Sequence, residues 1–162
     1  EENIKDVRFY EDVSRDSLYD IYREADLFVY PTFHDTFGIV MIEAMAFGNP
    51  VVAIEDFATP EIVERGVDGE IVEGYEEKWF ENETKIRIDK YNDWRKLRDC
   101  HREEEKDRIV EDFVKKISEL INDRDKYNTM SENAREKVKS GKFSVKNRNK
   151  KLSRIYEDSL NS

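Results

Sequence analysis

The sequence predicts an α/β fold: a parallel sheet covered by helices, followed by a helical tail. Three observations carry this. Short β-rich runs alternate with helical patterns through residues 1–72. Those runs are continuously apolar instead of alternating, the mark of strands buried on both faces. Beyond Gly74 the strand runs fade, and apolar residues recur at helical spacing.

A first strand is expected over Val7-Arg8-Phe9-Tyr10, then a helix carrying Leu18, Ile21, Tyr22 and Ala25, then a strand over Leu27-Phe28-Val29-Tyr30. A helix from about Phe37 to Phe47 is closed by Gly48 and Pro50 and leads into the run Val51-Val52-Ala53-Ile54. Thr59 reads as a capping residue with Pro60 at the first helical position, Gly66 as the stop of that short helix, and Glu70 to Val72 as a short strand. In the tail, Trp94 and Leu97 suggest one helix, and Ile109, Phe113, Ile117, Leu120 and Ile121 a second. Tyr127, Met130, Ala134 and Val138 make a third, and Leu152, Ile155, Tyr156 and Leu160 a fourth. Ser140-Gly141 is a stop between the last two, and Ser144 a cap. The stretch from Tyr75 to Asp107, rich in both charge signs, reads as a surface helical insertion. The expected organisation is one domain over 1–162, with an α/β core at 1–74, the insertion at 75–107 and closing helices at 108–162.

Composition narrows the function. The 162 residues are 38% hydrophobic, enough for one modest core. Lys and Arg number 28 against 38 Asp and Glu, and the net charge of −10 argues against generic nucleic-acid binding, which demands a cationic surface. The longest nearly apolar stretch, Phe37 to Gly48, is twelve residues interrupted by Glu43; a membrane span needs about 20. Cys100 is the single cysteine, and with two histidines and no ligand spacing a metal site is not expected, although His101 lies beside it. The start at Glu1-Glu2, without an initiator Met or leader, gives the expectation of a piece of a cytoplasmic protein.

Chemistry concentrates in Tyr30-Pro-Thr-Phe-His-Asp-Thr-Phe-Gly-Ile-Val-Met-Ile-Glu43-Ala-Met. A polar loop there joins the carboxyl end of a parallel strand to a helix, which is where open α/β sheets bind ligands. The first-turn amides of Gly38, Ile39 and Val40 have no intrahelical partners and, with the helix dipole, suit a phosphate. Glu43 lies five residues beyond Gly38, roughly 7–8 Å along the axis. That is the offset from a nucleotide's phosphates to its ribose, whose hydroxyls a carboxylate can accept. The same spacing also fits an ordinary scaffold helix whose one glutamate turns to water.

The longer text, Asp35-Thr-Phe-Gly-Ile-Val-Met-Ile-Glu43-Ala-Met-Ala-Phe-Gly-Asn-Pro-Val-Val-Ala, with Leu18-Tyr-Asp-Ile-Tyr-Arg-Glu-Ala-Asp before it and Pro60-Glu-Ile-Val after it, resembles glycosyltransferase family four. The resemblance covers roughly residues 5–73, and more loosely 108–160, where Phe143-Ser144 is similar to the family's ending. It implies the carboxy-terminal, donor-binding half of a retaining enzyme of the GT-B fold, with a partial Rossmann-like sheet. The donor would be a nucleotide-diphosphate sugar, bound as substrate with no separate cofactor, and the acceptor hydroxyl would belong to a glycan or lipid-linked molecule. Retention by front-face attack would leave the protein to position the donor and stabilise the leaving diphosphate.

The resemblance also implies site residues. Two acids separated by seven residues would contact the donor: Asp35 near the sugar, where the family more often has Glu, and Glu43 on the ribose. Thr36, Phe37, Gly38, Ile39 and Val40 would surround the donor between them. Two further candidates stay open. His34 could touch the sugar or phosphates or simply face solvent. Glu61 could stand at the donor pocket or be a favourable charge in a helix's first turn. In the family an Arg and a Lys hold the diphosphate and an amino-terminal half supplies the acceptor site, and neither is present here. No Lys or Arg lies between Arg23 and Arg65, so the chain alone is expected to be inactive. Arg135 to Arg154 holds nine basic residues against Glu136. The run is either a solvated helix face or a contact to an anionic membrane surface, making the protein peripheral there. The competing functional class is a non-catalytic nucleotide-binding or protein-interaction domain of GT-B ancestry.

Overall fold

The computed structural model describes residues 6–32, 35–55, 58–74, 80–81, 86–87 and 103–160. The chain enters through helix α1 (Arg15–Glu24), capped by Ser14, whose hydroxyl accepts the Ser17 amide at 3.2 Å. It continues through strand β1 (Phe28–Tyr30), helix α2 (Ile39–Ala46), strand β2 (Val51–Ile54), the one-turn helix α3 (Thr59–Ile62) and strand β3 (Gly69–Val72). The three strands pair in the order β1-β2-β3, all parallel, with Phe28 opposite Val51 and Val51 opposite Gly69.

Every residue of β2 is buried, as its unbroken apolar run requires. Its side chains alternate between two cores. Val51 and Ala53 join Met41, Met45 and Ile62 on one face, whereas Val52 and Ile54 join Ile109, Phe113, Leu120 and Met130 on the other. The second core is closed by helix α4 (Glu103–Asn122), and helix α5 (Arg124–Lys139) contributes to both. Helix α6 (Val145–Leu160) ends the described chain. β1 lies at the sheet edge with Val29 40% exposed, so burial on both faces holds for β2 and β3 but not there.

Charges and caps bind the tail to the core. Glu70, on β3, accepts Lys116 of α4 at 3.2 Å and Lys126 of α5 at 2.8 Å, and Asp68 accepts Lys137. At the end of α2, Ser131 donates to the Gly48 carbonyl at 2.6 Å and Arg135 to that of Phe47 at 2.8 Å. Gly48 has φ +87°, and a Cβ there would stand 2.6 Å from the Arg135 guanidinium. The buried Asn49 donates to the Tyr22 carbonyl at 2.9 Å, fixing α1 to the turn before β2.

Four expectations are corrected. Val7 to Tyr10 is not a strand: it has no described strand beside it to satisfy its backbone, and Phe9 is 89% exposed. The cap of α3 is Ala58, with Thr59 already helical, and this helix ends at Val63, so Gly66 (φ +79°) serves the turn into β3. Helix α2 begins at Ile39 instead of Phe37, because Gly38 is left-handed. Within the expected helical insertion, Phe80–Glu81 (β4) and Ile86–Arg87 (β5) form an antiparallel pair. The helix expected around Trp94 and Leu97 lies outside the described residues. The last three expected helices form, and the Ser144 hydroxyl accepts the Asn147 amide at 3.2 Å as the cap of α6.

Candidate functional site

The loop between β1 and α2 opens at the carboxyl end of the sheet. Tyr30, the last residue of β1, stacks on Phe28 with ring centroids 5.7 Å apart and packs against the core. Its hydroxyl donates to Asp35 Oδ2 at 2.5 Å. The other oxygen of that carboxylate accepts the amides of Phe37 at 3.0 Å and Gly38 at 3.1 Å. Asp is built for this, since its short side chain reaches backbone amides two and three residues on. Burial pushes the Tyr30 phenol up to about 12, and the bond to Asp35 adds to it by favouring the protonated hydroxyl.

Gly38 follows with φ +70° and ψ +47°, a conformation glycine adopts without penalty. A Cβ there would meet Met41 Cε at 2.3 Å and Ile62 Cδ1 at 3.8 Å. The left-handed turn therefore favours glycine, and a Cβ would also have to displace the flexible end of Met41. Of the three amides expected to receive an anion, that of Gly38 is taken by Asp35, and those of Ile39 and Val40 meet no acceptor among the described residues. Phe37 is 44% and Ile39 61% exposed, and Thr36 is also exposed.

Glu43 lies on the following turn of α2, half-buried. Burial raises the Tyr22 phenol, and the Glu43 carboxylate nearby raises it further. Among the described residues Glu43 makes no hydrogen bond or ion pair. Glu61 is exposed in α3, and what it contributes to packing is its carbonyl, which accepts Lys142 at 2.7 Å. His34 lies outside the described residues.

The structure thus brings Asp35, Thr36, Phe37, Gly38, Ile39, Val40 and Glu43 together on one strand end and one helix start. Tyr30 was legible only as the end of a strand. A phenol five residues before an aspartate is no signal in a sequence, because their meeting depends on the turn between them. No described helix is long and apolar enough to cross a membrane.

The chain is similar to known proteins. A family model described as glycosyl transferases group 1 matches residues 1–107. The D-inositol 3-phosphate glycosyltransferase of Mycolicibacterium vanbaalenii is 41% identical over 70 residues, which are 43% of this chain and 16% of that protein. The enzyme of the same name from Streptomyces griseus is 43% identical over 70 residues, covering 43% of this chain and 15% of its own length. The matched segment is therefore less than a fifth of the length of these relatives. Among solved structures, that of Anabaena Alr3699/HepE in complex with UDP-glucose superposes with a TM-score of 0.51 at 22% identity, over 85% of this chain and 29% of the other. Identity that low speaks for the fold alone, a three-stranded parallel sheet with flanking helices and a helical tail shared with part of that GT-B glycosyltransferase. With the family model spanning well over half of its residues, the chain belongs to the glycosyl transferases group 1 family.

Proposed function

We propose that the chain binds the nucleotide-diphosphate sugar of a retaining glycosyltransferase. The observation that carries this reading is Glu43, a half-buried carboxylate without a described partner, one turn beyond two helix-start amides that meet no acceptor among the described residues. Leaving a carboxylate partly desolvated and unpaired is unfavourable unless something else supplies its donors. Two ribose hydroxyls would do so while the diphosphate faces the Ile39 and Val40 amides, and Asp35, Thr36 and Phe37 would border the sugar end. UDP-glucose, bound by the structural neighbour, is the natural probe.

The site for the glycan or lipid-linked acceptor would come from an amino-terminal half of the same enzyme, and the Arg and Lys for the diphosphate from the upstream part of the donor half, outside these 162 residues. A cytoplasmic protein, peripheral at an anionic membrane through the basic run Arg135 to Arg154, fits the same scheme. His34 and Glu61 are secondary candidates for donor contact.

Titration of the chain with UDP-glucose, followed by backbone amide shifts, tests the reading. With no cation between Arg23 and Arg65, affinity should be no better than about millimolar. The largest shifts should fall on Ile39, Val40 and Glu43. Shifts confined to other parts of the chain, or none at saturating millimolar ligand, would reject it.

A further inference from the structure

The family's first acid is more often Glu, and here it is Asp35, one methylene shorter. The difference changes what the group can do. An aspartate readily closes onto its own following amides, a geometry that glutamate's extra methylene disfavours. The structure shows that closure, with one oxygen on the Phe37 and Gly38 amides and the other on the Tyr30 hydroxyl. One carboxylate thus ties the end of β1 to the entry of α2. Tyr30 is itself fixed by its stack on Phe28 and by the core behind it. Gly38, whose amide Asp35 holds, is the left-handed residue that turns the chain into the helix. The direction of the next two amides, Ile39 and Val40, follows from that turn. Three of the roughly four acceptor sites of the carboxylate are engaged in this tie.

We infer that Asp35 is a positioning residue. Together with the Tyr30 hydroxyl it holds the loop so that the Ile39 and Val40 amides face the ligand, and it does not itself touch the donor sugar. The inference rests on the nucleotide-sugar reading for what the amides receive, but the tie can be tested without any ligand.

Amide hydrogen exchange of the 162-residue chain, without ligand, reads the tie. Titrations with UDP and with UDP-glucose read its consequence. Asp35→Ala should speed exchange at Phe37 and Gly38 and weaken UDP by about tenfold, the loss expected when a binding loop is no longer held in place. Asp35→Asn keeps an oxygen for both amides, so it should restore protection and bring UDP affinity back to within about threefold of the wild type. Tyr30→Phe should fall between them. The ratio of UDP-glucose to UDP affinity should be the same in all four proteins, since the sugar loses nothing.

A ratio that drops by about tenfold in Asp35→Asn, with exchange protected, would mean that the carboxylate contacts the sugar and would overturn the inference. Unchanged exchange in Asp35→Ala would overturn it as well. If UDP moves neither Ile39 nor Val40 in the wild type while Asp35→Ala still speeds exchange, the tie stands and the nucleotide-sugar reading fails.

Discussion

Two carboxylates on opposite sides of the sheet show how differently this molecule treats its acidic residues. Glu70, buried on β3, receives ammonium groups from two tail helices. Glu43, half-buried on α2, receives none from any described residue. The contrast extends beyond the pair. Residues 1–72 carry seventeen acids against five bases, and basic residues of the tail reach back to the core, to one carboxylate and two backbone carbonyls. Lys137 goes to Asp68, Lys142 to the carbonyl of Glu61, and Arg108 to the carbonyl of Gly74. A buried carboxylate that the fold needs is given partners by the fold. Glu43, without a partner among the described residues and on the helix that follows β1, is the one for which we propose that a ligand's hydroxyls complete the set.

Glu70 should matter most to stability. Burial alone would raise its carboxyl, but hydrogen bonds from Lys126 and Lys116, with the charges behind them, outweigh burial and hold it below the usual carboxylate range. Glu70→Ala, which leaves both ammonium groups without their partner, should cost about 3 kcal/mol in urea unfolding. A loss under about 1 kcal/mol would erase the distinction between the two carboxylates.

The same carboxylate sets an acid limit. Because its folded pKa is depressed, the stability it contributes is present above the unfolded value of 4.5 and is lost as pH falls below that through the folded pKa. Urea midpoints from pH 6 down to pH 3 should fall less steeply in Glu70→Ala than in the wild type. Parallel curves would assign acid sensitivity to other groups.

Glu43→Ala should do the reverse of Glu70→Ala. Stability should stay within about 0.5 kcal/mol or rise, since a partly desolvated charge disappears. Affinity for UDP-glucose should fall by tenfold or more, each lost bond to a charged acceptor being worth about 1.5–3 kcal/mol. A substitution that destabilises the fold and leaves affinity intact would make Glu43 a scaffold residue like Glu70.

Smaller effects sharpen the picture at the loop and the rim. Gly38→Ala must place a methyl at φ +70° and displace the flexible end of Met41, so a loss of about 1–2 kcal/mol is expected in thermal or urea unfolding. No loss would show that the left-handed turn is not required. Arg65→Ala removes exposed pairs to Glu55 at 3.3 Å and Glu73 at 4.0 Å. It should cost under about 1 kcal/mol and lose its effect in high salt.

By itself, the sequence determined the order of elements at the sheet's centre and through the last three helices. It also pointed to the loop between β1 and α2 as the candidate ligand site. Those features are written locally: Val51 to Ile54 is apolar without interruption, and Ile109, Phe113, Ile117 and Leu120 repeat at helical spacing. The resemblance rested on short contiguous stretches, Asp35 to Ala53 with Leu18 to Asp26 before it and Pro60 to Val63 after it, for the same reason. Only the tertiary structure decided which acids are partnered. Glu70 meets its lysines across 46 and 56 residues, and nothing in the spacing of those residues says that α4 and α5 converge on β3. It also decided that Asp35 folds back onto Phe37, Gly38 and Tyr30, because that closure depends on the turn between them. Val7 to Tyr10 shows the limit from the other side. Its residues favour a strand, but a strand exists only where a neighbour takes its backbone hydrogen bonds, and no described segment of this chain does so.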